Sequence, residues 1–140
     1  MAFDAQSYHK PILAEKCIEF LNVRQGGIYV DCTAGGGGHS ALILEKLSGK
    51  GKLLAFDKDD DAIRFCAKRF EGCSSVELIK SDFKNAARFL AEKGLKPDGI
   101  LMDLGISSHQ IDEKSRGFSY MSRDSALDMR MDRTQSLTAK

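Results

Sequence analysis

Residues 28–41 read IYVDCTAGGGGHSA: an apolar run ending in Asp31, three small residues, four consecutive glycines, then His39 where helical spacing resumes. Ile28 to Val30 has the apolar continuity of a short strand covered on both faces. A glycine-rich turn from a strand into a helix permits positive φ and lets a ligand approach the backbone with no Cβ in the way. A strand of this kind needs a sheet, and the flanking sequence is patterned to supply one.

Upstream, Pro11, Leu13, Cys17, Phe20 and Leu21 fall at helical spacing and predict a helix that ends before Gly26-Gly27. Downstream, a helix from about Ser40 to Leu47 stops at Ser48-Gly49-Lys50-Gly51, and Lys52 to Phe56 is a second strand. Ile63, Cys66, Ala67 and Phe70 mark a helix, Val76 to Ile79 a third strand, and Phe83, Ala86, Ala87, Leu90 and Ala91 a further helix. Ile100 to Met102 is a fourth strand. Strands alternating with helices of about ten residues imply right-handed βαβ units and a doubly wound, parallel α/β sheet.

After Leu104 the periodicity stops for roughly 35 residues, which is long for a compact domain. The final TQSLTAK reads as the start of a helix capped by Ser136 or Thr138. The expectation is that residues 1–140 are the front part of a longer domain, cut after its fourth strand.

Composition excludes some classes. With 42% hydrophobic and 29% charged residues the 140-residue chain reads as globular, and 21 Lys plus Arg against 20 acidic residues leave a net charge of +1, so any basic surface must be local. The N-terminus lacks a signal peptide, and no apolar run approaches the roughly 18 to 20 residues that span a bilayer; a cytoplasmic protein is expected. Cys17, Cys32, Cys66 and Cys73 form no CxxC pair and read as reduced thiols, with no metal site.

Each strand runs into an acid: Asp31, Asp57, Asp82 after Ser81, and Asp103. In an open parallel sheet, ligands bind outside the carboxyl ends of the strands, so these acids share one edge. Helix capping explains Asp82 equally well, and near Asp57 the helix has Asp59, Asp60 and Asp61 for that purpose. Gly36 to Ala41 fits G-x-G-x-x-A, with Asp57 about twenty residues on to hold ribose hydroxyls. That pattern suits a nicotinamide dehydrogenase or an adenosyl-methionine methyltransferase. Charge separates them, because Asp31 and Asp103 beside the loop favour a sulfonium cation over an anionic pyrophosphate.

The stretches HKPIL, VDCTAGGGGHS, LLAFDKDDDAI, DGILMDLGISSHQID, RGFSY and LDMRMD resemble, in order and spacing over residues 8–140, the bacterial methyltransferases that modify N4 of a cytosine in 16S ribosomal RNA. The resemblance implies a Rossmann-like class I methyltransferase fold, S-adenosyl-L-methionine as cofactor, and 16S rRNA or the small ribosomal subunit as partner. It places adenosyl-methionine contacts on Gly37, Gly38 and His39 for the amino acid end, Asp57 for the ribose, Phe83 for the adenine face, and Asp103 and Gln110 on the opposite side. Gly35 and Gly36 are left to make the turn. The chain departs from the family at Ser107-Ser108-His109-Gln110, where SSPQ is expected, and a missing proline leaves that loop freer. Family members are also considerably longer.

Bland readings stand beside these. His39 also fits a first-turn surface residue, and Phe83 plain core. Arg116, Arg123, Arg130 and Arg133, interleaved with Phe118, Tyr120, Met129 and Met131, fit an RNA-facing segment or a loop in which Asp124, Asp128 and Asp132 pair with them. The implied reaction is in-line methyl transfer to an unpaired or flipped-out cytosine amine, helped by positioning. Many amino-methyltransferases place an Asp/Asn-Pro-Pro-aromatic segment after the fourth strand. Asp103-Leu104-Gly105-Ile106 lacks the prolines and the aromatic, so no catalytic residue is assigned. A dehydrogenase domain and a non-catalytic fragment that binds adenosyl-methionine or RNA remain the alternatives.

Overall fold

In the computed structural model, which describes residues 13–140, the apolar runs form a four-stranded parallel sheet of order β3-β2-β1-β4. Its strands are β1 (Ile28–Asp31), β2 (Lys52–Asp57), β3 (Val76–Lys80) and β4 (Gly99–Leu101). Helix α1 (Ala14–Leu21) precedes β1, and α2 (Gly38–Leu47), α3 (Asp60–Arg69) and α4 (Ala86–Glu92) make the crossovers. Asp31 pairs in register with Ala55 and Leu101, and Asp57 with Lys80, so the carboxyl ends of the strands meet at one edge. The strand order reverses between β1 and β4, which is where an open α/β sheet offers a crevice.

Side chains alternate across a strand, and both faces here are covered. Tyr29, Leu53 and Ala55 pack with Ile18 of α1, Ile43 and Leu47 of α2 and Cys66 of α3. Val30, Leu54 and Phe56 face the other way, against Ile79 and Leu90 of α4. Burying each large apolar side chain contributes about 1.5–3 kcal/mol. Strand parity also carries Asp31 and Asp57 to the face where α2 begins.

Several expectations shift. Helix α2 starts at Gly38, so His39 already lies in its first turn. A tight 3-10 turn at Phe83–Asn85 precedes α4, so Phe83 sits outside the apolar stripe and is 38% exposed. Phe20 is exposed rather than on the buried face of α1, as are Ala67, Ala87 and Ala91. Pro11 lies outside the described residues. The stretch after Leu104 carries a short helix, α5 (Ser108–Asp112), then a 3-10 turn at Lys114–Arg116. TQSLTAK forms no helix; Thr134 instead turns back, its amide and hydroxyl both donating to Asp132.

The four cysteines are free. Burial pushes the Cys32 thiol up to about 11 and the Cys66 thiol up to about 12, so both stay protonated packing groups at neutral pH. Among the described residues no helix is long and apolar enough to cross a membrane, and no acidic, His and Cys grouping is arranged to hold a metal ion.

Candidate functional site

Glycine allows the loop after β1 to fold back, and hydrogen bonds from neighbouring elements fix it. Gly35 takes φ +50° and its N–H donates to Asp57 Oδ2 at 2.9 Å. Its carbonyl accepts from Cys66 Sγ at 3.3 Å, and the Gly36 carbonyl accepts from Arg69 at 2.7 Å. Asp31 is fully buried; one oxygen accepts from Thr33 N at 3.0 Å and the other from Ser40 Oγ at 2.6 Å. Burial pushes the pKa of Asp31 up, against the Ser40 and Thr33 hydrogen bonds that pull it down.

The loop forms one wall of a cleft of about 300 Å³ at the carboxyl edge of the sheet. Asp57 and Lys58 follow from β2, Ser81, Asp82 and Phe83 from β3, and residues 103–107 from β4, with Gln110 and Met131 also lining it. The expected residues Gly38, His39, Asp57, Phe83, Asp103 and Gln110 all line this space. Gly37 does not: its N–H donates to the Ala34 carbonyl at 2.7 Å and its carbonyl accepts from Ala41 N at 2.8 Å. Gly35 and Gly36, expected only to make the turn, line the cleft together with Gly38.

Gly37 has φ +75°, and a Cβ there would stand 2.8 Å from Phe70 Cζ and 3.2 Å from Cys66 Sγ. Gly37→Ala is therefore expected to lower stability by about 2 kcal/mol, through the left-handed backbone and the overpacked ring. The shift in urea midpoint measures it.

Asp31 is a second correction. It does not line the cleft: its carboxylate is buried against Ser40 of α2 and the Thr33 amide. Asp57, Asp82 and Asp103 do line it. Lys58 Nζ approaches Asp82 at 3.9 Å, and Asp103 Oδ2 lies 3.9 Å from His39 Nδ1. Thr33 ties the ends of β1 and β4 together, its Oγ1 accepting from Asp103 N at 2.8 Å. An acid-rich cleft of this kind accommodates a cation at lower electrostatic cost than a diphosphate.

Two cleft residues carry further information. His39 is 5% exposed and its Nε2 is buried with no hydrogen-bond partner, a polar atom in want of one. Gln110 caps α5 with Ser107: its Oε1 accepts from Ser107 N at 3.0 Å and its N–H donates to Ser107 Oγ at 3.2 Å. Its Nε2 donates to Asp59 Oδ2 at 2.7 Å. Ser107-x-x-Gln110 is a capping box legible in the sequence, whereas Met131 reaches the cleft from far along the chain with no local signal.

The arginines divide. Arg116 is buried against Asp59 and Asp61, and Arg130 forks onto Asp128 at 2.7 and 2.8 Å. Asp132 serves Thr134 instead of an arginine. The expected pairing within the loop therefore holds for Arg130 with Asp128, whereas Arg116 takes its partners, Asp59 and Asp61, from the start of α3.

Comparison with known proteins gives the same direction. The chain is 53% identical over 134 residues to "Ribosomal RNA small subunit methyltransferase H" of Finegoldia magna, and 50% identical over 132 residues to the protein of that name in Clostridium botulinum strain Hall. Each match covers 94% of this chain and 42% of the relative, so the chain spans about two fifths of the length of these curated relatives. NSun6 from Pyrococcus horikoshii, solved with SFG, superposes with a TM-score of 0.56 at 26% identity, over 69% of this chain and 24% of that one. The doubly wound, Rossmann-like sheet is thus shared with methyltransferases. With residues 6–140 matching throughout, the chain belongs to the MraW methylase family.

Proposed function

We propose that this chain is the donor-binding part of an S-adenosyl-L-methionine-dependent enzyme that methylates N4 of a cytosine in 16S ribosomal RNA, acting in the cytoplasm on the small ribosomal subunit. The observation that carries it is the glycine-walled, acid-lined cleft at the carboxyl edge of the sheet, which His39, Asp57, Phe83, Asp103 and Gln110 all line. The residues fit such a donor. Gly38 and His39 would hold its amino acid end, Asp57 its ribose hydroxyls and Phe83 its adenine face, with Asp103 and Gln110 opposite. Asp57 retains acceptor capacity for hydroxyls, since a carboxylate offers about four lone-pair sites and Gly35 and Asp59 amides use two. Bound there, adenosyl-methionine supplies an activated methyl group.

Holding the acceptor amine in line is a matter of positioning, and the chain's own walls do that work. Labelled methyl transfer from adenosyl-methionine to small-subunit RNA or particles tests the reading, with this chain compared to a version extended to its relatives' length. Incorporation by the extended version at a cytosine is expected. No incorporation by either would defeat it.

A further inference from the structure

The guanidinium of Arg116 is 2% exposed, out of reach of an RNA phosphate. Its Nη2 donates to Asp59 Oδ2 at 2.6 Å and to the carbonyls of Arg130 and Met131 at 3.1 Å each. Its Nη1 donates to Asp61 Oδ2 at 2.9 Å and Asp59 Oδ1 at 3.3 Å. Its own carbonyl accepts from Met129 N at 2.9 Å. Next to it Gly117, at φ +75°, packs so closely on Ala126 and Asp128 that a Cβ would lie 2.7 Å from Asp128 N. The Arg116 side chain thus joins the corner after β2 to the backbone of Arg130 and Met131. On the same Asp59 oxygen sits Gln110 Nε2, at 2.7 Å. Gln110 and Met131 both line the cleft that the glycine loop also lines.

We propose that Arg116 is a positioning residue for the methyl donor: its buried fork sets the wall formed by Gln110 and Met131 at its distance from Asp57 and the glycine loop. The proposal rests on the reading of this cleft as the donor site. The position requires arginine, because one planar group with five donors spans two carboxylates and two carbonyls at once, and a lysine ammonium has three donors on a single nitrogen.

Calorimetric titration of the folded chain with adenosyl-homocysteine tests it. Arg116→Lys is expected to bind about tenfold to a hundredfold more weakly, as displaced site walls do, while Arg123→Lys, at an exposed position, binds as the unaltered chain does. Unchanged affinity in Arg116→Lys, even with a lowered melting temperature, would reduce Arg116 to a stability role and overturn the proposal. Should that variant not fold, hydrogen exchange on the unaltered chain decides. Adenosyl-homocysteine is expected to slow exchange at the amides of 129–131 together with that of Gln110, and no added protection at 129–131 overturns the proposal. If the unaltered and the length-extended proteins both fail to bind adenosyl-homocysteine, the donor-site reading itself falls, a result distinct from a variant that binds normally.

Discussion

Asp57→Ala is expected to weaken adenosyl-homocysteine binding about a hundredfold or more. Hydrogen bonds to a charged group are worth about 1.5–3 kcal/mol each, and on the proposed reading the carboxylate takes two ribose hydroxyls. The same carboxylate accepts the N–H of Gly35 at 2.9 Å and that of Asp59 at 2.9 Å, so its removal also frees the adjoining glycine loop. Asp57→Asn separates the two contributions. It keeps an oxygen for one amide but presents a donor where the other acceptor was, so it is expected to lie between the unaltered chain and alanine. Calorimetry reads all three, and undiminished affinity in Asp57→Ala would remove the residue from the ribose role.

Asp59→Ala is expected to destabilise the fold by about 3–5 kcal/mol, since it leaves a buried guanidinium short of its counter-charge. It also removes the cap of α3, where Oδ1 accepts from Asp61 N at 3.0 Å, and the partner of Gln110. The loss carries a pH signature. Burial alone would raise the Asp59 pKa, but hydrogen bonds from Arg116, Gln110 and the Asp61 amide outweigh it and hold the carboxyl below its ordinary 3.8. A carboxyl lowered by folding gives stability that is whole above its unfolded value and drains away as pH falls through the folded one. The gap in urea midpoint between the unaltered chain and Asp59→Ala is therefore expected to stay level from pH 7 down to near 3.8 and to narrow below it. Asp31 and Asp57 act with the opposite sign. Burial, the leading influence on both, raises them despite their hydrogen bonds, so their ionisation costs stability as pH rises from 3.8 through their raised values. A gap that narrowed toward neutral pH would refute the assignment to Asp59.

The fold was legible because strands buried on both faces and glycine-marked turns are local patterns, and each predicted strand exists within about two residues. The strand-end acids were legible as a group, but their individual tasks were not. Asp31 and Asp57 stand at equivalent strand ends, and only the position of α2 decides that one meets Ser40 under the loop while the other stays at the cleft. The difference between Gly37 and the three glycines that line the cleft has the same origin, since four identical residues give no cue to which backbone group faces outward. Phe83, which the family resemblance assigns to the adenine face, lines the cleft, although its apolar spacing with Ala86 and Leu90 points to the core. The bridge from Arg116 to Asp59 was out of reach, because its partners stand 57 residues apart and no local period connects them.

The tethered loop has a consequence for the cost of recognition. Gly35, Thr33 and Ser40 donate to Asp57 and Asp31, so the loop is held by the fold's own hydrogen bonds. Four glycines free in solution would have to surrender a large conformational entropy at the moment of capture. Here that entropy is lost once, during folding, and a ligand arriving at the cleft meets a surface whose shape is already set. Capture should therefore be quick and reversible, governed by diffusion into an open edge, with affinity differences among variants expressed in how long the ligand stays.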